Sequence, residues 1–294
     1  MHMSFRCFKI KKLLLILIFS LSLIGCQNDP NKIANKANLY KQLHTTKHFI
    51  ITSYARTIKH IDPSKPLYIY IEGDGQAWIS KYKLSSNPTP RDPLTLKLAS
   101  LDQRPNVIYI ARPCQFTTHK LDHNCSSQYW STARYSEPVV NSINEVVTNF
   151  KNFINNQKQD IHLIGYSGGA TIAGIIASIR SDVKSLTTIA GNLDHDAVSE
   201  FHKTTKLHQS LNLINFAKNL SHIPQVHYIG ENDQIIPIDV IKNFVTKVNS
   251  FNKYNNTQPK IANYIILKNI DHYHGWLAIW EKLYQQSLVY GQNI

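Results

Sequence analysis

Acidic side chains are scarce in this chain of 294 residues: 19 Asp and Glu stand against 32 Lys and Arg, a formal net charge of +13. Such an excess suits anionic lipid or nucleic acid, and equally a plain solvated surface. The lysines are scattered and form no long run. No zinc-finger spacing and no RNA-binding aromatic motif is present, so nucleic acid is not expected as a partner. The N-terminal apolar run, 13–24, has only 12 residues. That is too short for a hydrocarbon core of ~30 Å. Internal repeats are absent, and no second linker interrupts the chain. About 250 residues past the N-terminus then suffice for one domain with a large core.

What is present begins with a basic leader. "MHMSFRCFKIKK" carries Arg6, Lys9, Lys11 and Lys12 and no acid, and the short apolar run after it suits a secretory h-region. The run ends in "LIGC", 23–26, which resembles the lipobox of bacterial lipoproteins. The resemblance implies cleavage after Gly25, a lipidated Cys26, and a place in the bacterial cell envelope, held to a membrane. An ordinary signal peptide cut nearby, or an uncleaved anchor, is the alternative. Residues 1–25 are thus expected to be a lipoprotein signal peptide, 26–45 a polar, Asn- and Lys-rich tether, and 46–294 the functional domain. Loss of the leader leaves 28 basic against 19 acidic residues, a net charge of +9.

Of four cysteines, Cys7 leaves with the leader and Cys26 carries lipid. Cys114 and Cys125 remain, an even pair in an exported protein, and a disulfide is the economical reading. Two free thiols, or a metal site using His119 and His123, are the alternatives.

The domain alternates strands and helices. "KHFIITSYARTI", "KPLYIYIEGDG" and "PNVIYIARP" are expected strands, the last nearly continuously apolar from Val107 to Ala111. Residues 136–156 place Val139, Val140, Ile143, Val146, Val147, Phe150 and Ile154 at helical spacing, with Ser136 as a cap and Pro138 in the first turn. "DIHLIG", "SLTTIAGN", "PQVHYIGEND" and "ANYIILKNIDH" read as further strands. Helices are expected over 169–180, 197–220, 236–251 and 275–288, and a surface loop over 249–260. This alternation predicts an α/β domain with a mostly parallel sheet, whose ligands bind at the carboxyl ends of the strands.

Three strand ends carry chemistry. "IHLIG" runs through "YSGG" directly into a helix, so Gly-x-Ser-x-Gly has the strand–turn–helix context that exposes Ser167 as a nucleophile. The N–H of Gly168, at the helix start, points where an oxyanion would form. A Ser hydroxyl needs an adjacent base, itself oriented by an acid. Asp233 in "GENDQIIP" supplies the acid and His272 in "KNIDHYHGW" the base, each just past its own strand. Asp194, otherwise a turn or helix-capping residue with His195 and Asp196, is the rival acid. His274 is the rival base; His272 is preferred because it follows its strand more closely.

From about residue 66 to 283 the chain resembles the α/β-hydrolase family of esterases and lipases, in its Ser, Asp, His order and in "YIEGDG" and "GNLDH". The resemblance implies an α/β-hydrolase fold, with helices on both faces of a mostly parallel central sheet. It assigns Ser167 as nucleophile, Asp233 as acid and His272 as base. A second oxyanion donor is expected from the "EGDGQAW" loop, as the N–H of Asp74 or Gly75. Glu72 and Asp74 depart from the Gly-rich pattern, because a carboxylate beside an oxyanion opposes catalysis unless it is turned away or paired. Trp78, Trp130 and Tyr166 line an acyl pocket or pack in the core. No long insertion follows "AGNLD", so any cap is small or missing. The expected activity is hydrolysis of a small-molecule or lipid-like carboxylic ester through an acyl-enzyme, with no metal or organic cofactor needed. A peptidase or thioesterase on the same fold, or a non-catalytic surface lipoprotein binding a partner, are the alternatives.

Overall fold

The computed structural model describes residues 28–56, 62–80, 82–154, 159–251 and 261–292. The expected signal peptide, Cys26 and most of the expected 249–260 loop lie outside the described residues. Among the described residues no helix is long and apolar enough to cross a membrane.

The stretch expected to be a tether, 26–45, is folded from Pro30 onward. Helix α1 (Pro30–Lys36) is capped by Asp29, whose carboxylate accepts from the Asn31 N–H at 2.9 Å. Strand β1 (Leu39–Thr45) follows and pairs antiparallel with β2 (Ile50–Arg56). The polar composition misled because β1 is an edge strand. Only Leu39 is fully buried there, and Tyr40, Lys41, Leu43 and Thr45 are exposed while the strand's backbone bonds to β2.

The remaining elements are β3 (Leu67–Ile71), β4 (Trp78–Ser80), β5 (Lys83–Leu84), α2 (Leu94–Leu101), β6 (Val107–Ile110), α3 (Glu137–Ile154), β7 (Ile161–Tyr166), α4 (Gly168–Ile179), β8 (Val183–Ile189), α5 (His195–Phe201), β9 (Gln225–Gly230), α6 (Ile238–Phe251), β10 (Ala262–Leu267) and α7 (Trp276–Gln292). Eight strands form one sheet in the order β1-β2-β6-β3-β7-β8-β9-β10. The β1–β2 and β2–β6 pairs are antiparallel and the rest parallel, as expected of this fold. Every residue of β3, β6 and β9 is buried, so helices cover both faces of the central strands. Helices α3 and α4 pack on each other, and α2 packs on α7. Separately, β4 and β5 form a small antiparallel hairpin.

The register aligns the strand ends. Ile71 pairs with Gly165, Tyr166 with Ile189, Ile189 with Tyr228, and Gly230 with Leu267. The loops opening at 72, 167, 190, 231 and 268 therefore emerge along one edge.

The continuous helix expected over 197–220 does not form. Helix α5 stops at Phe201, Lys203 turns into the left-handed region (φ 53°), and a single 3-10 turn, Leu213–Phe216, follows. Leu207, Leu213 and Leu220 in this stretch are still buried, Leu213 from the 3-10 turn and the other two from irregular backbone. The Ser136 hydroxyl, expected to cap α3, has no hydrogen-bond partner among the described residues.

Candidate active site

Ser167 sits between the last residue of β7 and the first of α4, with φ 50° and ψ −120°. A non-Gly residue held there costs about 1–3 kcal/mol, which the surroundings must offset. Its N–H donates to the Ile189 carbonyl at 2.9 Å, and its carbonyl accepts from the Ala170 and Asn192 N–H groups at 3.1 and 3.0 Å. Gly169 allows the sharp turn: a Cβ there would lie 2.2 Å from the Ile71 carbonyl oxygen.

His272 reaches Ser167 from the β10–α7 loop. Its Nε2 is 3.1 Å from Ser167 Oγ, and its Nδ1 is 2.9 Å from Asp233 Oδ2. The Asp233 side chain is fully buried, and its Oδ1 accepts from the Ile235 and Ile236 N–H groups at 2.8 and 2.9 Å. One carboxylate oxygen is thus tied to the turn, leaving the other for the imidazole. The His272 carbonyl accepts from Tyr166 Oη at 3.0 Å and from Trp276 Nε1 at 3.2 Å, which fixes the backbone beneath the ring.

Neither rival joins this group. His274 has a side chain 82% exposed, and its Nδ1 bonds to Asp271 at 3.0 Å. Asp194 caps α5, accepting from the Asp196 and Ala197 N–H groups at 3.2 and 3.3 Å and from Asn212 Nδ2 at 2.7 Å.

The loop after β3 lies against the Ser167 turn. A Cβ on Gly168 would stand 2.1 Å from Asp74 Oδ1. Among the described residues the N–H groups of Gly168, Asp74 and Gly75 have no hydrogen-bond acceptor, while the Gly73 N–H is taken by Glu72 Oε1 at 2.8 Å. Gly75 holds φ +64°, and a Cβ there would fall 2.1 Å from the Pro88 carbonyl.

The two carboxylates that depart from a Gly-rich loop are both engaged. Asp74 Oδ1 pairs with Arg112 Nη1 at 3.1 Å, and its Oδ2 takes Arg134 Nη1 at 2.8 Å and Tyr135 Oη at 2.9 Å. Burial pushes the Asp74 carboxyl up, but Arg134 and Arg112 outweigh it and hold it below the ordinary value. Glu72 is buried and bonded to Thr95 Oγ1 at 2.5 Å and Tyr109 Oη at 3.0 Å. Burial raises its carboxyl despite those bonds. Arg112, Arg134, Tyr135, Thr95 and Tyr109 were not singled out from sequence. Arg112 stands just past β6, so its strand-end position was a usable signal; Arg134 comes from an irregular segment that offers none.

Ser167 and His272 open onto a cleft of about 610 Å³, walled by Trp78, Arg134, Tyr166, Ile235 and Tyr273. Tyr166 and Trp78 therefore face the cleft. Trp130 does not: it packs in a small cluster with Ala77 and the Cys114–Cys125 disulfide. With both sulfurs in that bond, neither is a thiolate ligand for a metal with His119 and His123. Among the described residues no group of three or more His, Cys, Asp or Glu is placed to hold a metal ion.

A mostly parallel sheet delivering a strained Ser, an Asp and a His from the ends of β7, β9 and β10 defines a serine hydrolase of the α/β-hydrolase fold. The profile of the family described as Serine hydrolase (FSH1) matches residues 100–256, and the chain belongs to that family. No curated protein sequence matches the chain. Among solved structures, it is similar to Est1E from Butyrivibrio proteoclasticus, at TM-score 0.56 and 12% identity over 85% of this chain and 99% of that one. It is also similar to the Pyrococcus furiosus esterase Pf2001, at TM-score 0.59 and 13% identity over 90% and 92%. A membrane phospholipase A, called a bacterial virulence factor, matches at TM-score 0.53 and 16% identity over 97% and 100%. At these identities the likeness is one of fold.

Proposed function

We propose that this chain is a carboxylesterase held to a bacterial membrane by lipid on Cys26, and that Ser167, His272 and Asp233 are its catalytic residues. The reading rests above all on one observation: a continuous path of 3.1 and 2.9 Å links Ser167 Oγ through the His272 ring to a buried Asp233. Ser167 Oγ attacks the ester carbonyl while His272 Nε2 takes its proton. Asp233 holds the imidazole by Nδ1 and stabilises the imidazolium that forms. Charge on the carbonyl oxygen falls to the N–H of Gly168 and the N–H of Asp74 or Gly75. His272 then gives its proton to the departing alkoxide, leaving an acyl group on Ser167. A water, deprotonated by the same ring, releases the acid and restores the site. A small-molecule or lipid-like ester is the substrate class, in keeping with the esterase and phospholipase relatives. The anchor rests on "LIGC" at 23–26.

A fluorophosphonate probe tests the nucleophile. Wild type and Ser178→Ala are expected to label, and Ser167→Ala is not. A well-folded wild type that does not label would overturn the enzyme reading in favour of a binding protein. For the anchor, Cys26→Ser is expected to abolish acyl incorporation in vivo, and persistent incorporation refutes it.

A further inference from the structure

The mouth of the cleft carries an apolar surface that no part of the described chain covers. In β4, Trp78, Ile79 and Ser80 are all exposed, Trp78 at 43% and Ile79 at 51%. Tyr82 at the hairpin turn is 87% exposed. From other loops, Ile235 and Tyr273 join Trp78 in lining the cleft, and Tyr273 is 59% exposed. Trp78, Ile235 and Tyr273, far apart in sequence, converge round one opening, and Ile79 and Tyr82 extend the same exposed surface along the hairpin beside Trp78, so these form a patch and not isolated surface hydrophobes. Trp78 also lines an adjoining groove of about 630 Å³ that shares Arg134 with the cleft.

The hairpin is presented stiffly. Trp130 Nε1 donates to the Ser85 carbonyl at 2.9 Å, the Ser85 N–H donates to the Ala77 carbonyl at 2.9 Å, and Leu84 packs on the disulfide cluster. The disulfide cluster thus holds the base of the hairpin while leaving its apolar strand bare.

Charge selects what this surface meets. Lys83 on the hairpin, Arg91 at the cleft and Lys203 at the groove have no ion-pair partner among the described residues. The acids lining the two openings are already engaged: Glu72 is buried, Asp74 pairs with two arginines, and Asp92 pairs with Lys97. Exposed Trp, Tyr and Ile beside cations with no ion-pair partner among the described residues match the interface of an anionic bilayer, where aromatic rings sit at headgroup depth.

We infer that the β4–β5 hairpin and Tyr273 dock into an anionic phospholipid surface, so that the cleft opens onto the bilayer. The inference builds on the esterase reading of the cleft and names lipid in the membrane plane as the source of its ester. Docking is separate from the expected lipid on Cys26: an anchor keeps the chain near a membrane, while the hairpin sets which way the site faces.

Trp78 provides the test, because Trp130, Trp276 and Trp280 are buried. The full chain is bound to vesicles of phosphatidylcholine with or without phosphatidylglycerol, and tryptophan emission is read on the vesicle-bound fraction. On the anionic vesicles a blue shift is expected, with quenching by brominated phosphatidylcholine. Both effects should be at least severalfold weaker on phosphatidylcholine alone, and weaker again at about 1 M salt, where the Debye length shrinks to ~3 Å. Trp78→Phe should remove the responsive emission, and Ile79→Ser with Tyr82→Ser should remove the shift while leaving Trp78 in place. No bound fraction, or unchanged emission from bound chain, overturns the proposal; equal shifts on both vesicles overturn its electrostatic half. Emission needs no turnover, so a failure here is distinguishable from a failure of the esterase reading, which fluorophosphonate labelling of Ser167 tests independently.

Discussion

Asp74→Ala should cost both stability and rate, because one carboxylate holds two guanidiniums beside the nucleophile. The side chain bonds Arg112, Arg134 and Tyr135 at 3.1, 2.8 and 2.9 Å. The Arg112 and Arg134 side chains are only 4% and 17% exposed, so removing Asp74 strands two charges with little access to water. Removing one partner of a buried pair costs about 3–5 kcal/mol. Asp74 itself is 19% exposed, which favours the lower end, about 3 kcal/mol. At about 2–4 °C per kcal/mol for a domain of this size, Tm should fall by roughly 6–12 °C. The loop that carries the expected second oxyanion donor also loses its tie, so kcat on a p-nitrophenyl ester should drop about 10²–10³-fold. Asp92→Ala is the control, since that exposed carboxylate pairs with Lys97 at the surface and should cost under about 1 kcal/mol. Urea denaturation, scanning calorimetry and steady-state kinetics read these effects. If Asp74→Ala stays within about 1 kcal/mol of wild type with kcat unchanged, the claim that the arginine pair positions the loop is wrong.

His272→Ala should lower kcat/KM on a p-nitrophenyl ester by on the order of 10⁴-fold or more, and His274→Ala should leave it largely intact; the reverse pattern would make His274 the base. Replacing Cys114 and Cys125 by Ser should destabilise the fold by about 3 kcal/mol, read by urea denaturation under oxidising conditions. The His227 ring is wholly buried, with Nδ1 2.8 Å from Thr188 Oγ1 and Nε2 without a partner among the described residues, and burial lowers its pKa to about 3. The folded state keeps this ring neutral while the unfolded chain protonates below about 6.5, so its stabilisation is complete above that pH and is lost as pH falls towards 3. Stability should therefore decline by on the order of 1 kcal/mol per pH unit between about pH 6 and 4 on account of His227, and His227→Gln should flatten that slope. Asp74, held low, adds a loss only below about pH 4, which Asp74→Asn should remove.

Much of the site could be read from the chain because each of its parts follows a strand. β7 ends directly at Ser167, β9 ends three residues before Asp233, and β10 ends five before His272. β7 and β9 lie inside the sheet and show as apolar runs, and the edge strand β10 still carries the run Tyr264 to Leu267 although only Ala262 of it is fully buried, so all three ends can be found. β1 could not be found this way, since Lys41, Gln42, His44 and Thr45 leave this edge strand with no apolar run to show. The stop of α5 depended on Lys203 entering the left-handed region, to which no Gly pointed. The Asp74 clamp joins residues 38 and 60 positions apart, and only the folded sheet brings them together. The sequence did pose that question, because an unpaired acid in the oxyanion loop would have worked against the chemistry.

Intact-mass spectrometry during turnover of a slowly deacylated p-nitrophenyl ester tests the central claim most directly. An acyl adduct is expected at one per chain, mapping to the peptide that contains Ser167, formed with a burst of p-nitrophenol and missing in Ser167→Ala. Hydrolysis without any adduct or burst, or an adduct that maps to another residue and survives in Ser167→Ala, would contradict the account.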